Sequence, residues 1–211
     1  MIAIIDYGYS NLLSIRRAVE QYEKECIVTN DPTDLCDADK IILPGVGSFI
    51  SGMTKLNELG FSVAIREQSE KGKPILGICL GMQMLLDESE EGGAFGGLGL
   101  IHGKVTRIPN YDIMSCRQDV PHVGWEQLYP TDSGFKNCEF FKYPNRVGEV
   151  YFVHSYEAVV DDAENIMATV LYGGRDIVAV IQNKKTIGCQ FHPEKSGKCG
   201  LEMIEKFVND F

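Results

Sequence analysis

One cysteine of the seven in this sequence, Cys79, sits where a thiol could act as a nucleophile. It is the centre of Gly77-Ile78-Cys79-Leu80-Gly81. An apolar run, Pro74-Ile75-Leu76-Gly77-Ile78, leads in, and a helical pattern, Met82-Gln83-Met84-Leu85-Leu86, leads out. Strand, sharp turn and helix with a cysteine at the apex is the cysteine counterpart of the G-x-S-x-G nucleophile elbow. A nucleophile at a strand tip needs a strained turn, and glycines two residues either side let the backbones cross closely. The turn also sets the sulfur at a helix N-terminus, where free N–H groups and the dipole favour an anion. Glycine is common here, with 22 residues, so the pattern alone is equally that of a buried structural cysteine.

A cysteine nucleophile needs a base and a place for the oxyanion. Of the four histidines, His102, His122, His154 and His192, the last has the best setting. Gly188-Cys189-Gln190-Phe191 reads as a strand with His192-Pro193-Glu194 at its end. In an extended segment residues i and i+2 point the same way, so Glu194 can hydrogen-bond the His192 imidazole and fix its tautomer. The alternative is a surface His-Pro-Glu turn. For the oxyanion, Pro44-Gly45-Val46-Gly47-Ser48 follows the strand Ile41-Ile42-Leu43. Two glycines around Val46 let a peptide plane rotate and aim an N–H, at Val46 or Gly47, toward a developing charge. The N–H of Leu80 would be the second donor. The same peptide can also rest with its carbonyl facing the nucleophile. No G-K-[ST] follows, which excludes phosphate-loop chemistry.

The elements that must position these groups alternate along the chain. Ile2 to Ile5 reads as a buried strand, and Leu12, Ile15, Val19 and Tyr22 fall at helical spacing after an N-cap at Ser10 or Asn11. Strands follow at Cys26 to Thr29 and Lys40 to Leu43, with Asp31-Pro32-Thr33-Asp34 capping a short turn or helix between them. A helical region from about Ser51 to Lys71, broken at Gly60, precedes the elbow strand. Strands alternating with helices predict a parallel, doubly wound α/β sheet. After Glu88 the pattern changes. The glycine-rich stretch 90–99 reads as loop, Val105 to Ile108 as strand, and residues 111–119 as irregular. Strands then crowd at Val150 to Val153, Tyr156 to Val160, Ile166 to Leu171, Ile177 to Ile181 and Ile187 to Phe191. Turns at Gly173-Gly174 and Asn183-Lys184-Lys185 make this half antiparallel. A last helix from about Gly200 to Asp210 turns Leu201, Ile204, Phe207 and Val208 inward. No repeat or linker interrupts the chain, so residues 1–211 read as a single domain.

Thirty acidic against 20 basic residues give a net charge of −10 and no basic stripe, which argues against nucleic-acid binding. The cysteines lack C-x-x-C pairing and are odd in number, so neither a disulfide framework nor a metal site is expected, and a reducing cytoplasm is. No stretch approaches a membrane span.

Gly77-Ile78-Cys79-Leu80-Gly81-Met82-Gln83 with Gln190-Phe191-His192-Pro193-Glu194 resembles the class I, triad-type glutamine amidotransferases, in the family's order of nucleophile first and His and Glu near the C-terminus. Further stretches narrow this. Asp6-Tyr7-Gly8 with Asn11-Leu12, Leu43-Pro44-Gly45-Val46-Gly47, Ser89-Glu90-Glu91-Gly92 and Pro121-His122-Val123-Gly124-Trp125 are four of them. Tyr151-Phe152-Val153-His154-Ser155-Tyr156 and Phe191-His192-Pro193-Glu194-Lys195-Ser196 are two more. Together they resemble the branch whose members are glutaminase subunits of imidazole glycerol phosphate synthases.

The resemblance implies a three-layer fold with a largely parallel sheet, helices on both faces and extra antiparallel strands in the C-terminal half. It implies a Cys79, His192 and Glu194 triad, an oxyanion hole at Val46, Gly47 and Leu80, and glutamine contacts at Gly45, Gly47, Gln83, Ser155 and Tyr156, with no cofactor or metal. Glutamine is then the substrate and a (β/α)₈-barrel synthase subunit the partner, met at Asn11, Trp125 and Lys195 and supplied with ammonia for histidine biosynthesis. On this reading His122 and His154 are structural or interface residues, and His102 a residue of surface or core. Without the family, a lone Trp125 in a loop reads as a packing residue.

Two positions depart from the branch. Its usual Pro-His-x-Gly-Trp-Asn has Glu126 in place of the Asn, and Tyr9-Ser10 stand where small residues are common. Both belong by resemblance to the partner-facing surface. They keep open a paralogue that feeds a sugar-modifying synthetase for surface polysaccharide. A non-catalytic subunit on the same fold is disfavoured by the intact triad, and a free-standing cysteine hydrolase by Gln83 and the Pro-Glu-Lys-Ser context.

Overall fold

The short apolar runs become strands buried on both faces, and their alternation sorts side chains between two cores. Ile2 and Ile4 enter one core while Ala3 and Ile5 enter the other; Ile42 and Leu76 likewise oppose Ile41, Leu43 and Ile75. The computed structural model describes residues 1–22, 24–141 and 148–211. The chain runs β1 (Ile2–Ile5), α1 (Leu12–Glu20), β2 (Cys26–Thr29), α2 (Asp34–Asp37), β3 (Lys40–Gly45), α3 (Phe49–Glu58), α4 (Phe61–Glu70), β4 (Ile75–Cys79) and α5 (Leu80–Met84). It continues through β5 (Glu88–Ser89), β6 (Phe95–Gly96), β7 (Gly103–Arg107), β8 (His122–Gln127), β9 (Tyr129–Pro130) and α6 (Asp132–Asn137). The last elements are β10 (Glu149–His154), β11 (Tyr156–Val160), β12 (Ile166–Tyr172), β13 (Arg175–Asn183), β14 (Thr186–Cys189) and α7 (Gly197–Asp210).

The main sheet has the order β2-β1-β3-β4-β14-β13-β12-β9. From β2 to β14 neighbours are parallel, and from β14 to β9 they are antiparallel. This is the parallel sheet with antiparallel C-terminal strands that the sequence predicts. Ile15, Ala18 and Val19 of α1 and Met203, Ile204, Phe207 and Val208 of α7 cover one face. Phe49, Met53 and Leu56 of α3 and Phe61 and Ile65 of α4 cover the other. Each of the Val, Leu, Ile, Phe and Met side chains among these contributes roughly 1.5–3 kcal/mol. The break between α3 and α4 falls at Gly60 as expected.

Two smaller sheets stand apart from the main one. β8 pairs antiparallel with β10, and β11-β7-β5-β6 form the other. Ser155 lies where the chain passes from β10 to β11. Trp125 belongs to β8, not to a loop. Pro121 and Gly124 hide the alternation of that strand from a sequence pattern, and its pairing with β10 supplies the order. Gly96 likewise joins a two-residue strand rather than a loop.

Candidate active site

β3, β4 and β14 are adjacent and parallel, so their C-terminal ends open on one side. Ligands in open α/β sheets bind at such ends. Gly45 is the register partner of Cys79, and Ile78 that of Cys189, three residues before His192. Three loops therefore meet: the glycine-flanked segment after β3, the elbow after β4 and the His-Pro-Glu segment after β14.

Cys79 has φ 54° and ψ −110° and is the N-cap of α5. For a non-glycine residue this conformation costs of order 1–3 kcal/mol. The neighbouring glycines permit it by close approach: a Cβ at Gly81 would collide with the Leu43 carbonyl, and one at Gly77 with the Gly81 backbone. The elbow expected from the sequence is present, with Cys79 almost buried at 8% exposure.

His192 Nδ1 lies 2.9 Å from Glu194 Oε1, and both side chains are buried. The pair forms as expected, but not through an extended segment. Pro193–Lys195 is a 3-10 turn, closed by Lys195 N–H donating to the His192 carbonyl at 2.9 Å. The Ser196 hydroxyl braces the turn by donating to the same carbonyl at 2.7 Å and accepting from Tyr151 N–H at 2.9 Å. Burial works against a charged ring at His192. The hydrogen bonds to Cys79 and Glu194 outweigh it and push the ring up to about 9. His192 therefore holds its proton at neutral pH, beside Cys79.

This shift stabilises the fold. The contribution is fully present below the unfolded value near 6.5 and is lost as pH rises through about 9. Urea midpoints should therefore fall between pH 6.5 and 9, and His192→Asn should flatten that slope. A wild-type midpoint that rises across this window would contradict the assignment.

Cys79, Leu80 and His192 line a cavity of about 360 Å³ with Val46, Gly47, Gln83, Ser155 and Tyr156, within the roughly 300–1,000 Å³ of small-molecule sites. Gly45 is not on its wall. It lies behind, where a Cβ would meet the Tyr7 hydroxyl and Leu80. Gln83 donates to the Tyr156 carbonyl at 3.0 Å and to Gln190 Oε1 at 2.9 Å, so its N–H groups are committed to the protein.

Sequence reasoning gave no role to Gln190 or Glu91, and read His154 as a structural or interface residue rather than part of the cavity wall. Gln190 Nε2 is 3.7 Å from Cys79 Sγ, and the signal for it was its place two residues before His192. Glu91 lines the cavity and accepts from Phe49 N–H at 2.6 Å at the start of α3. His154 also lines the cavity.

The expected oxyanion donors are only partly presented. Leu80 opens α5, so its N–H has no acceptor within the helix. Val46 N–H points elsewhere and donates to the Tyr9 carbonyl at 2.8 Å. Gly47 has φ 99°, a conformation open to glycine. Tyr9 thus captures the Val46 donor, so that N–H is not free for an oxyanion in this state.

The profile of the class I glutamine amidotransferases matches residues 3–211. The imidazole glycerol phosphate synthase subunit HisH 1 of Legionella pneumophila (strain Lens) is 42% identical over 208 residues, covering 98% of each chain. The subunit HisH of Geobacillus sp. (strain WCH70) is 42% identical over 215 residues, covering 99% of this chain and 96% of the relative. The chain belongs to the class I glutamine amidotransferases, in the HisH family. A solved glutamine amidotransferase of 17% identity shares the fold, with a TM-score of 0.70 over 99% of this chain and 100% of its own.

Part of the exposed surface of this amidotransferase borders the cavity. Val153 lines the cavity and pairs across strands with Val123, while Tyr151 pairs with Trp125. Val123, Trp125, Val153 and Val46 are all exposed. Asn11 caps α1 without a side-chain hydrogen bond, and Lys195 is exposed in the 3-10 turn. His102 is a surface residue beside Asp87, whereas His122 and His154 are buried.

Proposed function

We propose that this HisH-family amidotransferase hydrolyses glutamine to glutamate and ammonia at Cys79. It then passes the ammonia to a (β/α)₈-barrel synthase subunit that makes imidazole glycerol phosphate and an aminoimidazole ribonucleotide. The observation that carries the reading is a strained Cys79 beside the charged His192–Glu194 pair in a substrate-sized cavity.

The Cys79 thiolate attacks the side-chain amide carbon of glutamine. The resulting oxyanion is held by Leu80 N–H and by the segment of Val46 and Gly47. The His192 imidazolium protonates the departing nitrogen, the C–N bond breaks, and ammonia leaves a thioester on Cys79. Neutral His192 then takes a proton from water, whose oxygen attacks the thioester. Glutamate leaves and the thiolate returns. Glu194 orients the ring and steadies its charge. Gly47, Gln83, Ser155 and Tyr156 form the glutamine pocket, with Gly45 supporting it from behind.

Free ammonia would be protonated in bulk water, so a docked acceptor with a closed path is needed. Exposed apolar side chains at Val46, Val123, Trp125 and Val153 beside the cavity suit such a docking face, with Asn11 and Lys195 as polar contacts. The seven cysteines are all free thiols, which fits a cytoplasmic enzyme.

Glutamate release by the complex tests the chemistry. His192→Ala should be nearly as damaging as loss of Cys79. Glu194→Ala should be milder, because an orienting acid contributes less than nucleophile or base. A His192→Ala complex with undiminished kcat would remove His192 from the reaction.

A further inference from the structure

A chain of hydrogen bonds runs from the exterior to the cavity wall through two buried histidines. Glu126 Oε1 is 3.3 Å from His122 Nε2, and His122 Nδ1 is 3.0 Å from His154 Nε2. His154 Nδ1 is 2.9 Å from the Tyr156 carbonyl, the same oxygen that accepts from Gln83. The His122 ring is clamped between Phe152 and Tyr172 and cannot turn away.

One placement of protons satisfies both inner contacts of this chain. A carbonyl only accepts, so His154 Nδ1 carries a hydrogen. Burial pushes His154 down to about 4, so the ring is neutral and its Nε2 is a bare acceptor. His122 Nδ1 must therefore donate. A neutral His122 would then present a bare Nε2 to an ionised Glu126, and neither atom would have a hydrogen to share. The contact needs one proton more than a neutral chain with an ionised carboxylate provides.

We propose that Glu126 and His122 hold that proton between them, and that it sets the direction of a relay through His154 that positions the Tyr156 carbonyl at the cavity wall. When the proton leaves, the ionised Glu126 draws a hydrogen onto His122 Nε2. His122 Nδ1 becomes an acceptor, His154 donates from Nε2, and its Nδ1 is left bare against the Tyr156 oxygen. One of the two anchors of the pocket wall is then lost. An amide at position 126 would donate into Nε2 and keep the inward direction without any added proton.

The groups facing His122 are Glu126 on its own strand, His154 on β10 and Tyr172 on β12. The Tyr172 hydroxyl donates to the backbone carbonyl of Asp119. Burial lowers the His122 ring against the raising pull of Glu126.

The positioning role rests on the cavity being the glutamine site; the proton does not. In the complex with its synthase subunit, KM for glutamine should rise about tenfold in one single-proton step between pH 5 and 8, with kcat much less affected. Glu126→Gln should hold the low KM throughout. Nitrogen-15 spectra of the histidine-labelled free chain should show His122 with both nitrogens protonated at the acid end. In Glu126→Gln, His122 should carry hydrogen only on Nδ1 at every pH. The same KM step in Glu126→Gln, or a His122 that keeps one tautomer across the range in the wild type, would overturn the proposal. Glutamine hydrolysis that depends on Cys79 but lacks the step would overturn it while leaving the glutaminase reading intact.

Discussion

Cys79→Ala should abolish glutamine hydrolysis, by at least about 10⁴-fold, because it removes the sulfur that forms the thioester. The fold should survive. Alanine at φ 54° carries no more strain than cysteine does, and the side chain lost is one sulfur at the edge of a cavity. Cys79→Ser keeps a hydroxyl in place. A serine hydroxyl is far less acidic and a weaker nucleophile than a thiol, so this variant should be nearly as inactive. Ammonium supplied to the complex should still support the synthase step at the wild-type rate, since that chemistry lies in the partner. The measurements are glutamate release, ammonium-dependent product formation and a thermal melt of each variant. Substantial glutaminase activity without Cys79 would end the mechanism. Loss of the ammonium-dependent reaction would show that the substitution had damaged docking instead.

The parallel strands were legible because burial on both faces leaves only short apolar runs, and Ile2 to Ile5 and Lys40 to Leu43 show them plainly. The elbow was legible for a different reason. Close backbone crossing tolerates only glycine, and Gly77 and Gly81 record it directly. β8 was not legible, since Pro121 and Gly124 break its alternation and its partner β10 lies far along the chain. The His192–Glu194 contact was expected for a geometric reason that does not hold, because a 3-10 turn can also bring residues two apart together. The least legible feature was the direction of the Val46 N–H. Two glycines state that a peptide can rotate, but its resting orientation is fixed by Tyr9, which belongs to another loop.

Glutaminase activity of the isolated chain should be low and should rise about 10²–10³-fold when a synthase subunit and its ligand dock, the usual worth of one oxyanion donor. The hydrogen bond from Val46 N–H to the Tyr9 carbonyl engages one expected donor, whereas Leu80 N–H has no acceptor within its helix. Breaking it costs only about 0.5–1.5 kcal/mol net. Gly47 and Gly45 flank the peptide and pose little steric barrier to its rotation. Tyr9 and Val46 are both exposed, and Val46 lines the cavity together with Val153. A partner touching this loop can therefore favour the donor-inward state through differential contacts alone. Rotation of one peptide would then prevent idle consumption of glutamine. The deciding measurement is the steady-state glutaminase rate of the chain alone, with the partner, and with partner and ligand. The increase should fall on kcat rather than KM, because the recovered donor meets a charge that exists only in the transition state. Equal rates in all three conditions would mean that Val46 leaves Tyr9 without help and that control lies elsewhere.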